Sequence, residues 1–130
     1  MMVIDSSAII AILSGEPEAV YFAQAIEKDT LRLMSAASWL ETAIVIEARF
    51  GLPGGEEFDK LIQVAQIHIE AVTSEQAAIA RMAYRKYGKG RGHTAGLNFG
   101  DCFSYALAKI TGEPLLFKGD DFTHTDILTV

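Results

Sequence analysis

The sequence lacks the features that would form disulfide bonds or insert the chain into a membrane. Cys102 is the only cysteine among 130 residues, which excludes an internal disulfide framework and is typical of a reducing compartment. No apolar run approaches the roughly 18 residues that a membrane-spanning helix requires, and no basic segment with a long apolar run opens the chain, as in a signal peptide. We therefore expect a cytoplasmic protein.

Histidine is scarce, and nucleotide-binding glycine motifs are missing. His68, His93 and His124 lie far apart without the spacing of zinc ligands, which disfavours a histidine-based metal centre. The glycine-rich stretch GKGRGHTAGLNFG contains neither a Walker A sequence nor a dinucleotide-binding pattern after a strand. This stretch is therefore expected to be either a solvated loop or a contact for RNA.

Basic residues are outnumbered, and the net charge of −6 taken alone argues against a nucleic-acid partner. Five of the eleven basic residues nevertheless fall within one short segment: Arg81, Arg85, Lys86, Lys89 and Arg91. An acidic chain with such a basic segment can still bind phosphate locally, because the field depends on where the charges lie. The alternative is a solvated helix face whose cations only offset nearby acids.

Short apolar runs alternate with longer helical patterns along the chain. The strand-like runs are MMVID, LRLMS, IHIEAV, PLLFK and a final DILTV. The helical patterns are SSAIIAILSG, EPEAVYFAQAIEKD, SWLETAIVIEARFG, GGEEFDKLIQVAQ, TSEQAAIARMAYRKYG and DCFSYALAKITG. This order predicts one α/β domain over residues 1–130, with a mainly parallel sheet covered by helices on both faces.

Four acids stand at comparable boundaries between these elements: Asp5, Glu41, Asp101 and Asp120. Parallel sheets place functional residues at the carboxyl ends of their strands, and there Asp5 is expected to meet solvent, so that its charge need not be buried. Converging carboxylates raise one another's pKa unless a cation lies between them. Oxygen ligands of this kind suit Mg²⁺ or Mn²⁺.

Each acid also fits a purely structural role. Asp5 is placed to cap a helix that begins at the next residue, and Glu41 ends the capping-box pattern S-W-L-E. Asn98 and Asp101 resemble a helix cap followed by an acid that the helix dipole favours. The two aspartates of KGDDF fit a turn and a cap. Spacing alone leaves both roles open.

Four motifs taken together resemble the VapC-like toxins of the PIN-domain ribonuclease family: MVIDSSAIIAIL, SWLETAIVIEAR, LNFGDCFSYALAK and EPLLFKGDDF. The resemblance covers essentially the whole chain, in the family's order. It implies a three-layer α/β/α fold and Mg²⁺-dependent cleavage of RNA as part of a toxin–antitoxin pair. It also implies inhibition by a cognate VapB-type antitoxin and allows a homodimer.

The resemblance also assigns site residues. Asp5 and Asp101 would hold the metal directly, while Glu41 and a fourth acid would complete a negative pocket through waters or at a second metal position. The fourth acid is assigned to Asp120, because it follows Gly119, and Asp121 is expected to support the turn. Ser6 matches a hydroxyl position that orients Asp5. The alternative function is a non-catalytic nucleic-acid or protein-binding module, and a DNA-directed nuclease is the alternative among enzymes.

The remaining reactive and aromatic residues are expected to form the core. Cys102 follows Asp101 but falls within an apolar helix pattern, so we interpret it as a packed residue rather than a nucleophile. The aromatics at helix spacings are predicted to pack, with stacking on bases as the alternative; they are Trp39, Phe50, Tyr84, Phe103 and Tyr105.

Overall fold

The computed structural model describes Met1–Val130 and has a four-stranded sheet between helices. The strands are β1 (Met2–Ile4), β2 (Arg32–Ser35), β3 (Ile67–Glu70) and β4 (Leu115–Leu116). The helices are α1 (Ser6–Leu13), α2 (Ala19–Lys28), α3 (Ala36–Val64), α4 (Ser74–Tyr87) and α5 (Phe99–Thr111). The strand order is β3-β2-β1-β4, and every pair is parallel.

The side chains of the strands alternate between two apolar cores, one on each face of the sheet. Val3 of β1 packs in a core with residues of α4 and α5, while Met2 and Ile4 pack in a second core with α1, α2 and the later part of α3. All three β1 residues are buried, as expected for a central strand covered on both sides. The predicted three-layer α/β/α fold is confirmed.

The long helix α3 is two helices that meet at a kink. Gly51 has φ 69° and ψ −164°, a conformation that a residue with a Cβ rarely adopts. Pro53 follows at a position where a helix start tolerates its missing N–H. The sequence-based division into one helix that ends at Gly51 and another that follows is confirmed.

The predicted final strand, DILTV, is wrong as a strand. The segment makes a single bridge between Leu115 and Thr129, with the Leu115 amide donating to the Leu128 carbonyl at 2.8 Å. The physical reason is the length of its neighbour, because β4 has two residues and offers little edge for pairing.

The order of the strands fixes where a site can form. From β1 the chain crosses to β2 and β3 on one side, and then returns to β4 on the other side of β1. The carboxyl ends of β1 and β4 therefore flank the point where the topology reverses, which is where ligands bind in open α/β sheets. No helix of the chain is both long and apolar enough to cross a membrane.

Candidate active site

Asp5 directly follows β1 and caps α1. Its Oδ2 accepts hydrogen bonds from the Ser7 amide at 3.0 Å and the Ser7 hydroxyl at 2.6 Å. The capping role proposed for Asp5 is therefore confirmed. The expectation that Asp5 meets solvent is wrong, because the residue is only 2% exposed. Hydrogen bonds to the carboxylate replace the water that burial removes.

A chain of hydroxyl groups holds the other oxygen of Asp5. The Ser104 hydroxyl donates to Oδ1 at 2.5 Å, and its oxygen lies 3.1 Å from the Ser38 hydroxyl. Because the Ser104 proton is directed to Asp5, Ser38 is the donor of the second bond. Ser7 is fixed in turn by the Lys118 amide, which donates to its hydroxyl at 2.9 Å. Residues of α1, α3, α5 and the segment after β4 thus fix one buried carboxylate.

We expect Ser104→Ala to lower the free energy of unfolding by about 1.5–3 kcal/mol, because a buried carboxylate oxygen loses its donor. Chemical denaturation at neutral pH measures the loss. Ser38→Ala is the matched control, since Ser38 bonds Ser104 rather than the carboxylate, and should cost about 1 kcal/mol. Equal losses in the two variants would contradict the assignment of Ser104 as the carboxylate's donor.

Glu41 lies within α3 and points toward α5. The capping alternative for Glu41 is wrong, because α3 is capped by Ser35 and begins at Ala36, which places Ser38 inside the helix. The Ser6 hydroxyl donates to Glu41 Oε1 at 2.7 Å. Ser6 therefore orients Glu41, and the prediction that it orients Asp5 is wrong; Ser7 does so instead.

Gly100 forms the wall against which the Glu41 carboxylate lies. A Cβ on Gly100 would clash with Oε2 and would lie 2.9 Å from Cδ of Glu41. The absence of a side chain on Gly100 therefore lets the Glu41 carboxylate of α3 pack directly against the first turn of α5.

Asp101 occupies the first turn of α5, where the predicted cap is confirmed. The Asn98 side chain accepts from the Asp101 amide at 2.9 Å, and the Asp101 carboxylate accepts from the Asn98 amide at 3.0 Å. Capping does not account for its environment, however. Burial and a hydrogen bond with the Asp121 carboxyl raise the pKa of Asp101 to about 8, with a further contribution from the charge of Asp5.

The acid that reaches Asp101 is therefore Asp121, rather than the assigned Asp120. The Asp120 carbonyl accepts from the Thr123 amide at 3.1 Å, so Asp120 serves the turn through its backbone. The structure thus brings the Asp121 side chain to Asp101, whereas the contact found for Asp120 is one of its backbone. In sequence, the adjacent aspartates carry no signal that separates them, because the choice depends on the conformation of the turn after β4.

The carboxylate oxygens of this site are suitable ligands for a divalent cation, although they are not gathered around one point. Burial first, and then the neighbouring Asp121 and Asp5, disfavour the charged form of Asp101 and raise its pKa, and an intervening cation would offset these effects. Only oxygen ligands are offered, which Mg²⁺ and Mn²⁺ prefer. No group of three histidine, cysteine or acidic side chains is gathered closely enough to surround an ion as the side chains stand.

Cys102 and the histidines take no part in this arrangement. Cys102 is buried, and its thiol donates to the Asn98 carbonyl at 3.3 Å. Burial and the neighbouring Asp101 raise the pKa of Cys102 to about 11, which disfavours the reactive thiolate. The interpretation of Cys102 as a packed residue is confirmed. His93 packs edge-to-face on Tyr87, and its Nδ1 accepts from the Ala95 amide.

Comparison with known proteins decides the family. The sequence model of the PIN-domain family matches residues 2–128 of this chain. The chain belongs to the PIN-domain family, among its VapC proteins. It is 64% identical over 129 residues to Ribonuclease VapC30 of Mycobacterium tuberculosis, covering 99% of this chain and 98% of the relative. It is 59% identical to Ribonuclease VapC of Mycolicibacterium smegmatis, with 99% of both chains covered. The resemblance stated from the four motifs is confirmed.

Solved structures of PIN-domain toxins share the fold. The crystal structure of VapC20 from Mycobacterium tuberculosis, described as a sarcin–ricin loop cleaving toxin, superimposes with a TM-score of 0.82 at 16% identity and covers 100% of this chain and 98% of its own. A toxin–antitoxin complex from Klebsiella pneumoniae gives a TM-score of 0.74 at 17% identity, with coverages of 100% and 97%. At these identities the likeness establishes the PIN fold alone.

Proposed function

We propose that this VapC-type PIN protein is an endoribonuclease, the toxin of a toxin–antitoxin pair, which uses Mg²⁺ to cleave RNA. The observation that carries the proposal is the proximity of Asp101 to Asp5 and Asp121 at the carboxyl edge of the sheet, where burial and these two neighbours raise the pKa of Asp101 to about 8. The ribonuclease names of relatives that match over nearly their full length support the reaction class.

Mg²⁺, with Mn²⁺ as an alternative, would be held by Asp5 and Asp101. The chemistry that such an ion supplies when bound is activation of a water molecule and neutralisation of phosphate charge. Asp121 and Glu41 complete the negative pocket, and we assign the fourth position to Asp121 because of its hydrogen bond with Asp101.

The side chains around the pocket leave water as the nucleophile. The hydroxyls of Ser6, Ser7 and Ser104 each donate to a carboxylate of the site, so their role here is to orient Glu41 and Asp5. The Cys102 thiol is disfavoured as a thiolate by its raised pKa. Hydrolysis by a water molecule therefore requires no covalent intermediate on this chain.

The basic segment defined above supplies the attraction that the acidic chain otherwise lacks. α4 carries three of its cations and the following turn two, and no ion pair involves any of them. This disfavours the alternative in which these cations only offset nearby acids. We infer that the segment contacts the RNA backbone.

We expect the triple change Arg85→Gln, Lys86→Gln and Lys89→Gln to weaken RNA binding and flatten its salt dependence. Removing one cation that binds a phosphate should reduce the slope of log binding constant against log salt by roughly 0.7 for a single strand. Fluorescence anisotropy at several salt concentrations measures the slope. Lys28→Gln and Lys60→Gln, on α2 and the later part of α3, serve as controls. An unaltered slope in the triple variant would assign the segment to solvent or to another partner.

A VapB-type antitoxin is the proposed protein partner. Structures of the same fold include VapBC2 from Rickettsia felis bound to a promoter DNA fragment, with a TM-score of 0.74. The carboxylates of the pocket favour an inhibitory segment that presents a basic side chain to them, where a charge-assisted bond would replace the metal. A homodimer of the toxin is compatible with this arrangement.

The deciding experiment incubates the purified chain with total RNA in Mg²⁺ and in EDTA, and maps the cut ends. We expect cleavage in Mg²⁺, none in EDTA, and suppression when the cognate VapB-type antitoxin is co-expressed. Cleavage of single-stranded DNA in place of RNA would favour a DNA-directed nuclease. RNA binding without cleavage in any divalent cation would favour the non-catalytic binding module.

A further inference from the structure

Phe99 is the most exposed large apolar side chain of the protein, at 79% exposure. It is the first residue of α5, next to Gly100 and two residues before Asp101. Its ring rests edge-to-face on Phe103, with the centroids 5.0 Å apart. Phe99 therefore presents an aromatic surface to solvent, packed on Phe103, at the start of the helix that carries Asp101.

A cavity of about 330 Å³ opens beside this ring, between α4 and α5. Its lining is apolar except for one cation, and consists of Ala80, Arg81, Tyr84, Phe99, Cys102 and Phe103. The Arg91 guanidinium lies 5.5 Å from the centre of the Tyr84 ring, which adds a second cation at the margin. Arg81 and Arg91 form no ion pair. The cavity thus combines aromatic rings with uncompensated positive charge.

This combination matches the chemistry of a single nucleic-acid strand. Bases stack on exposed aromatic rings whatever their sequence, while arginines pair with the phosphates between them. Phe99 and Asp101 lie two residues apart on the first turn of α5 and project from different sides of it, so a strand bound at the carboxylates reaches the ring by passing the start of the helix. An apolar peptide would fill the cavity equally well but would gain nothing from the two cations.

We propose that Phe99 stacks on an unpaired base of the substrate strand, and that Arg81 contacts the backbone of the same strand. The proposal rests on the RNA-cleaving function proposed above. In this proposal, α4 and the start of α5 bind the single-stranded substrate.

Fluorescence anisotropy of a short single-stranded RNA, measured in EDTA, gives the binding affinity that tests the proposal. Cleavage is measured separately in Mg²⁺. Phe99→Ala should weaken binding by roughly 5- to 150-fold, the range for loss of one stacked base, and Phe99→Trp should bind about as well as the original chain. Tyr21→Ala is the matched control: Tyr21 is 57% exposed, leans edge-to-face on Phe22, and lines a cavity near Met2, away from the acids.

A scan with abasic nucleotides separates stacking from a general loss of affinity. One abasic position should weaken binding to the unmodified chain but not to Phe99→Ala, because the base and the ring form a single contact. If the unmodified chain cleaves RNA and Phe99→Ala binds RNA as tightly, the stacking proposal is overturned and the proposed function stands. Unchanged RNA affinity together with impaired self-association or antitoxin binding overturns it in favour of a protein interface.

The stacking site can also stand when the proposed RNA cleavage fails. If no cleavage occurs in Mg²⁺ but RNA binding depends on Phe99 and on one base, the catalytic function fails and the stacking site stands. If the unmodified chain neither cleaves nor binds RNA, both are overturned.

Discussion

Asp101→Asn is expected to reduce RNA cleavage by roughly 100-fold or more while the protein remains folded. Asparagine keeps an oxygen that can accept from the Asn98 amide, so the helix cap survives. It also removes a carboxylate that burial and Asp121 already disfavour in the charged form. The variant should therefore melt at or above the temperature of the unmodified chain when no metal is present. Cleavage assays and thermal melts in EDTA measure both effects.

The pH dependence of stability supplies a second measurement on the same residue. The folded metal-free protein holds the Asp101 proton up to about pH 8, whereas the unfolded chain releases it near the ordinary aspartate value of 3.8. Between these values the folded state binds more protons, so stability falls as pH rises. Asp101→Asn should remove that part of the slope. A slope that persists unchanged would show that Asp101 has no raised pKa.

Changing each of the neighbouring aspartates provides the matched comparison. Asp121→Asn should lower cleavage strongly, because Asp121 contacts Asp101, whereas Asp120→Asn should leave most activity. The reverse order would restore Asp120 as the fourth acid of the pocket. Full cleavage by a folded Asp101→Asn protein would remove Asp101 from the mechanism.

Gly100→Ala is expected to separate activity from stability. The added methyl group would clash with Glu41 Oε2, and a flexible carboxylate can move away at small cost in folding. An alanine in a helix is favoured over glycine by up to about 1 kcal/mol, so the melting temperature should hold or rise. Displaced from Ser6, Glu41 would no longer shape the pocket, and cleavage should fall roughly 10- to 100-fold.

Gly96→Ala is the control for this change, because a Cβ there meets no atom within 4 Å. It should cleave RNA as the unmodified chain does. Glu41→Gln should reproduce the loss of activity seen with Gly100→Ala, since both changes act on one carboxylate. Normal cleavage by a folded Gly100→Ala protein would show that the position of Glu41 is not required.

Sequence patterns predicted those interactions whose two partners lie within a few residues of each other along the chain. The caps at Asp5 and Asn98 were visible in sequence because a capping residue and the amide it accepts from are neighbours along the chain. The S-W-L-E pattern misled for the same reason. Ser38 and Glu41 have the spacing of a capping box, yet the helix begins earlier, at Ala36, after β2 delivers Ser35 as its cap.

Hydrogen bonds between residues that are far apart in the chain could not be predicted from sequence patterns. Ser104 is 99 residues from Asp5, and Ser6 is 35 residues from Glu41, so neither hydrogen bond corresponds to a spacing that a pattern can detect. Gly100 looked like a loop glycine, although its function is to admit a side chain from another helix. Phe99 was not among the aromatics singled out, because exposure is a property of the packed structure.

The family and the α/β order of elements could be predicted from sequence alone, and the same motifs pointed to Asp5 and Asp101, on which the proposed metal site depends. These are properties of hydrophobic periodicity and of motifs in a fixed order, which do not require a third dimension. The burial of Asp5, with three hydrogen bonds to its carboxylate, and the approach of Asp121 to Asp101 became visible only in the folded chain. The physical reason is that the carboxyl ends of β1 and β4 are brought together by the return of the chain across the sheet, and charge is felt through space.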